Sequence, residues 1–189
     1  MGTRSLTIFV ERTTEKPKTL KSKPKVTESE IAVMYRQYDG YPSGHGMELA
    51  EFLNRGVAVN GIPGGGDDKL YFNGVGCMSA QVVANFKSGP GGIYLYKAGT
   101  RNCWEEYTYK VIFNHDKGDM YVTMECKEEG FVGTPKEFIE NVMRGVSYDV
   151  LKPFISSEFK PSELPAKPII AIHSRDQRDS INVIKTFYL

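Results

Sequence analysis

Five segments of this chain carry strand-type patterning, and they cluster instead of alternating strictly with helices. SLTIFVE (5–11) sets Leu6, Ile8 and Val10 on one face. EIAVMYRQY (30–38) is rich in β-branched and aromatic residues. GIYLYKA (92–98), CWEEYTYKVIF (103–113) and MYVTMECK (120–127) follow, the last two joined by the turn cluster NHDKGD (114–119). Parallel neighbours need a crossover, usually helical, whereas hairpin neighbours need only a turn. The expected class is therefore α+β: an antiparallel-dominated sheet of about five or six strands with three helices packed against it.

Three segments have helical spacing. MELAEFLNR (47–55) places Met47, Ala50 and Leu53 together and ends at Gly56. MSAQVVANFK (78–87) puts Met78, Val82 and Phe86 on one stripe, broken by SGPGG. Thr134-Pro135-Lys136-Glu137 has the residues of a capping box, with Pro at the first helical position, and predicts a helix to about Arg144 with Phe138, Ile139, Val142 and Met143 inward.

The domain expected from this pattern spans 1–145, followed by an irregular extension, 146–189, punctuated by prolines. In the extension PIIAIH (168–173) has the look of an edge strand. INVIKTFYL (181–189) is an apolar end suited to docking on its own domain or on a partner, so that a homo-oligomer through this tail is one expectation. Residues 13–29 hold five lysines and two prolines, with only Leu20 and Val26 apolar, and read as an exposed basic loop between the first two strands.

Charge and cysteine content narrow the functional classes. Lys and Arg number 24 against 23 Asp and Glu, which argues against a nucleic-acid binder of the globally basic kind. No apolar run approaches the ~18 residues of a membrane-spanning helix. Three cysteines, Cys77, Cys103 and Cys126, lack any CxxC spacing and read as small buried hydrophobes in a reducing, cytoplasmic setting. His45, His115 and His173 stand far apart, so neither a metal site nor a cofactor is expected. Gly61–Gly66 lacks the Lys-Ser/Thr of a phosphate-binding loop and is followed by Asp67 and Asp68, which would repel phosphate; a flexible surface loop or lid is expected there, within a glycine-rich connection across 56–76.

The densest polar cluster is Tyr35-Arg36-Gln37-Tyr38-Asp39-Gly40-Tyr41-Pro42-Ser43-Gly44-His45-Gly46, where a strand end turns into a helix start. Free backbone N–H groups and a positive dipole end at such a junction suit an anion. Gly44 and Gly46 would let a ligand approach the backbone. Arg4, beginning the first strand, is expected to meet Asp39, ending the second, leaving guanidinium donors free at the mouth of the turn. The candidate ligand site is thus Arg4, Tyr35, Gln37, Asp39, Tyr41, Ser43, Gly44, His45 and Gly46, with Glu106 beside it. In the strand holding Glu106, Glu105, Tyr107 and Tyr109 share one face and Trp104, Glu106 and Thr108 the other, the pattern of a solvated sheet face or of a polar pocket wall.

Met1-Gly2-Thr3-Arg4 with Leu6, then Tyr35, Asp39-Gly40-Tyr41-Pro42 and Gly44-x-Gly46, resembles a loose group of uncharacterised phage and bacterial proteins opening MGTR and carrying a D-x-Y-P-x-G-x-G element. Glu106-Tyr107-x-Tyr109 extends the likeness, which covers about 1–55 and 90–145. The resemblance implies a viral or prophage origin, hence a host-cell cytoplasm, and a shared site; it carries no activity. The opening also looks faintly like N-terminal-nucleophile hydrolases, but Gly2 has no nucleophilic side chain.

Three functions follow as expectations. One is a binding protein for a small anionic or nucleotide-like metabolite. Another is a hydrolase or transferase using Asp39 and His45 as an acid/base pair. The last is a structural or interaction protein using its C-terminal tail. The residues alone leave catalysis open.

Overall fold

The computed structural model describes residues 2–15, 23–61, 68–116 and 118–145. The chain divides into two units, Met1–Phe138 and Ile139–Leu189. In the second, the described residues are the end of one helix, where Glu140 and Arg144 pair at 3.8 Å, one turn apart. The expected boundary after residue 145 thus lies seven residues beyond the observed one, and the expected edge strand at 168–173 and the apolar end at 181–189 lie outside the described residues.

The first unit is α+β. Its strands are β1 (Ser5–Glu15), β2 (Lys25–Arg36), β3 (Gly56–Val59), β4 (Leu70–Asn73), β5 (Ile93–Lys97), β6 (Tyr107–Asp116), β7 (Asp119–Cys126) and β8 (Phe131–Gly133); its helices are α1 (Met47–Arg55), α2 (Gly74–Phe86) and the start of α3 (Pro135–Gly145). Six strands form one sheet in the order β5-β2-β1-β6-β7-β8. Every neighbouring pair is antiparallel except β1 and β6: α1 and α2 lie between β2 and its antiparallel neighbour β5, and the 98–106 connection then carries the chain from β5 past β2 and β1 to start β6 in the same direction, parallel to β1. β3 and β4 make a separate parallel pair.

β1 is the central strand, and from Ser5 to Val10 it is buried on both faces. Its odd positions face inward with Met34 of β2 and Tyr109, Val111 and Phe113 of β6, the register partners of Thr7, Phe9 and Glu11 or of their neighbours. The buried residues of α1 (Leu49, Ala50, Phe52, Leu53) and α2 (Val75, Met78, Val82) supply the helical part of the core. Phe138 of α3 meets Phe131 and Tyr109 edge-on at 5.0 and 6.1 Å. Even positions of β1 face outward, where Leu6, Ile8 and Val10 pack with Val33 and Ile112 and are flanked by Tyr35 and Cys103.

The fold corrects three local expectations. The basic loop is shorter than 13–29, because Thr13–Glu15 pair with Lys25–Thr27 in the β1–β2 ladder. Those residues have no apolar alternation; beside them on the ladder lie cross-strand ion pairs, with Arg12 reaching both Glu28 (2.5 Å) and Glu125 (3.1 Å) and Lys110 reaching Glu28 at 2.6 Å. The strand expected from Cys103 starts only at Tyr107. Asn102 and Trp104 lie in the left-handed region (φ 60° and 65°), and the Glu105 carboxylate, far from lining a sheet face, accepts the N–H groups of Asn102 and Cys103. Residues 56–76, expected as a glycine-rich connection, contain β3, β4 and the first turn of α2; of the flexible loop or lid expected at Gly61–Gly66, positions 62–66 lie outside the described residues. The capping box does form, Thr134 Oγ1 accepting from the Glu137 N–H at 3.2 Å and Glu137 accepting from the Thr134 N–H at 2.7 Å.

Phe113 is fully buried and Val132 is 73% exposed, although both are apolar strand residues. Phe113→Ala is expected to cost about 3–5 kcal/mol in urea unfolding, while Val132→Thr stays within about 0.5 kcal/mol. Equal losses would mean that the inner face is not the core.

Candidate functional site

The junction between β2 and α1 is built around a buried imidazole. Pro42–Gly46 makes a wide turn that runs straight into α1. Each N–H in it that was expected to hold an anion is already used: Gly44 and Gly46 donate to the Tyr41 carbonyl at 3.0 and 3.3 Å, and His45 donates to that of Asp39 at 2.8 Å. The glycines serve packing and not ligand approach. A Cβ on Gly44 would lie 2.7 Å from the Asp39 oxygen and from the Tyr41 ring, and one on Gly46 would lie 2.8 Å from the Tyr109 hydroxyl. The hydroxyl of Tyr109, fully buried, donates to the Gly40 carbonyl at 2.8 Å and pins the start of the turn to β6.

His45, a candidate for contact with a ligand, has no exposed surface. Arg36 Nη1 lies 2.9 Å from its Nδ1, and Thr7 Oγ1 lies 3.2 Å from its Nε2. A guanidinium has no acceptor, so Nδ1 must accept and the ring proton must sit on Nε2, donated to Thr7. Phe86 and Tyr109 close the ring in edge-on at 5.1 and 5.9 Å. Arg36 also donates from Nη1 to Glu48 at 2.8 Å and from Nε to the Tyr38 carbonyl at 2.9 Å. The chain Thr7–His45–Arg36–Glu48 therefore joins β1, the turn, β2 and α1.

This environment decides protonation. Burial, and then the Arg36 charge, hold the imidazole well below its ordinary range, so it is neutral at pH 7. A buried neutral ring bonded at both nitrogens cannot exchange protons with a substrate. Asp39 touches His45 only through the backbone, so the expected acid/base pair does not form. Burial first, and then the negative charges of Asp39 and Glu48, raise the Tyr41 hydroxyl, placing two carboxylates where an anion was expected.

The remaining sequence candidates separate. Ser43 is exposed, and Gln37 is half-buried with its N–H on the Gly92 carbonyl at 2.9 Å. Arg4 forms no ion pair with Asp39, since the β1–β2 register sets Ser5 opposite Arg36 and leaves Asp39 beyond the ladder in a left-handed turn (φ 56°). Arg4 instead lies against the Tyr35 hydroxyl on the outer face. Burial raises that hydroxyl, opposed by the charge of Arg4 and a hydrogen bond from it. The N–H of Glu106, an exposed residue, donates to the Arg4 carbonyl at 2.9 Å, so Glu106 borders this second site through its backbone.

The outer site includes residues not anticipated. Tyr35 lies 6.0 Å from Tyr94 and 5.9 Å from Tyr96, ring to ring, because β2 and β5 pair Tyr35 with Tyr94 and Val33 with Tyr96. Tyr94 and Tyr96 remain 42% and 37% exposed. Lys87 stands 5.6 Å over the Tyr94 ring and donates to the Gly91 and Ile93 carbonyls. Among the described residues, neither Arg4 nor Lys87 has a carboxylate partner. The period-two spacing of Tyr94 and Tyr96 was the available signal for a shared face. Cys77, Cys103 and Cys126 are free thiols, and burial pushes Cys126 up to about 11. Among the described residues no group of three His, Cys, Asp or Glu is placed to hold a metal, and no helix is long and apolar enough to cross a membrane.

Comparison with known proteins finds no matching family, no matching curated protein and no matching solved structure.

Because the folded state favours neutral His45, the unfolded chain binds more protons below about pH 6.5, and stability falls as pH drops through that value. One proton corresponds to at most about 1.4 kcal/mol per pH unit. His45→Gln keeps an acceptor and a donor but does not titrate. Urea unfolding between pH 5 and 6.5 is expected to show a shallower pH slope in this variant than in the wild type. Parallel slopes would refute the buried neutral ring.

Proposed function

We propose that this protein binds a small anionic, nucleotide-like ligand on the outer sheet face, at Arg4, Tyr35, Tyr94, Tyr96 and Lys87. The observation that carries the reading is a half-buried arginine, unpaired with any described carboxylate, beside Tyr35, whose ring clusters with the exposed rings of Tyr94 and Tyr96. Cations held against a sheet ordinarily pair with carboxylates, as Arg12, Lys110 and Arg101 do on the same face. Arg4 has no such partner among the described residues, and a guanidinium fork fits a phosphate or carboxylate. Exposed tyrosines offer stacking surface to a planar ring, worth about 1–3 kcal/mol per base in comparable sites. Lys87 adds a second positive charge at the same rings.

Binding is favoured over catalysis because the imidazole expected to act as a base is enclosed by Thr7, Arg36, Phe86 and Tyr109. A ligand-binding role also fits the near-neutral overall charge, which gives no broad field for a polyanion.

Calorimetric titration with AMP, CMP, GMP and UMP is the test. At least one is expected to bind, and Arg4→Ala is expected to weaken it about 10- to 100-fold, the loss of a charge-assisted hydrogen bond of about 1.5–3 kcal/mol. The unfolding midpoint of the variant should change little. Failure of all four to bind the wild type, or unchanged binding by Arg4→Ala, would overturn the reading.

A further inference from the structure

Trp104 is the residue of the first unit that stability explains least. It is 84% exposed, the most exposed large hydrophobic side chain among the described residues, and its backbone sits in the left-handed region at φ 65°. A non-glycine residue is strained there and persists only where its surroundings impose the conformation. Here they do. On one side of Trp104, Cys103 packs against the outer cluster that Tyr35 also joins. On the other, the Glu106 N–H is held by the Arg4 carbonyl. The Glu105 carboxylate takes the N–H groups of Asn102 and Cys103 at 3.1 and 2.6 Å, and Arg101 pairs with Glu30. A loop fastened this firmly keeps an indole in water and between two anchors, one beside Tyr35 and one on Arg4.

Resting on the binding reading above, we infer that Trp104 is a second aromatic wall of the site, and that it stacks on the planar ring of the ligand while Arg4 takes its anion. The ligand class is thereby narrowed to anions that carry an aromatic heterocycle, as a nucleoside monophosphate does. An anion on a bare sugar would use Arg4 alone. The fastened loop lowers the backbone entropy lost on binding, since the residues on either side of Trp104 are held beforehand.

Trp104 is the only tryptophan in the chain, so its emission reports the contact directly. Titration of the full chain with AMP, CMP, GMP and UMP is expected to change indole fluorescence with the same saturation curve as the calorimetric binding. Ribose 5-phosphate is expected to bind more weakly and leave the emission unchanged. Trp104→Ala is expected to weaken the nucleotide about 5- to 100-fold and leave ribose 5-phosphate binding within twofold, whereas Trp104→Phe recovers most of the loss. Nucleotide binding with unchanged emission and full affinity in Trp104→Ala would overturn this inference and leave the Arg4 site standing. Absence of binding by every compound would remove both.

Discussion

The bond from Arg36 Nη1 to His45 Nδ1 ties together parts of the chain that no apolar contact joins as specifically. Arg36 ends β2, His45 sits just before α1, and Thr7 lies at the middle of the inner face of β1. A hydrophobic core is tolerant of small shifts in register and helix position. A buried imidazole is not, because a displaced ring would leave the Arg36 donor or the Thr7 hydroxyl without a partner. The placement of α1 over the sheet therefore follows from polar geometry, and the packing of Leu49, Phe52 and Leu53 fills in around it.

That arrangement divides labour between the two faces of the sheet. On the inner face the Tyr109 hydroxyl and the N–H groups of residues 44–46 are all bonded within the protein, although the buried Ser5 hydroxyl has no partner among the described residues. The outer face has a different economy. Glu28, Arg12, Lys110 and Glu125, one from each of four successive strands β2, β1, β6 and β7, balance one another across it. Such half-exposed pairs contribute little each, but they consume charge, and the cations they leave over lie at the other end of the face among tyrosines.

Much of this fold was legible in the sequence, and the reasons differ from element to element. The limits of α1 and the capping box of α3 were readable because caps and stripes are local. β1 was readable because Leu6, Ile8 and Val10 alternate. The far ends of β1 and β2 were not, since Thr13–Glu15 and Lys25–Ser29 lack apolar alternation and the ion pairs beside them reach residues distant in sequence, such as Arg12 with Glu125. The polar turn drew attention for a sound reason, its concentration of His, Arg and Tyr. What sequence could not say is that His45 and Arg36 bond to each other and turn inward, which depends on Thr7 lying opposite in the neighbouring strand. The pairing of β2 with β5, and so the gathering of Tyr35, Tyr94 and Tyr96, crosses 60 residues and has no local signature.

The position of these rings on an edge strand raises a further physical question, since an exposed edge bearing Tyr94, Leu95 and Tyr96 resembles a template for pairing with another chain. The edge is closed by other means. The Ile93 carbonyl is occupied by Lys87 Nζ at 2.9 Å, and the Lys97 carbonyl accepts both the N–H and the hydroxyl of Thr100. In a five-residue strand this leaves Leu95 between two blocked carbonyls, too short a run for an added strand to register. Lys87 has two consequences at once: it denies the edge to a peptide backbone and it places its charge over the Tyr94 ring. The surface that remains open is the side-chain face of the tyrosines, which a flat molecule can approach and an extended chain cannot extend.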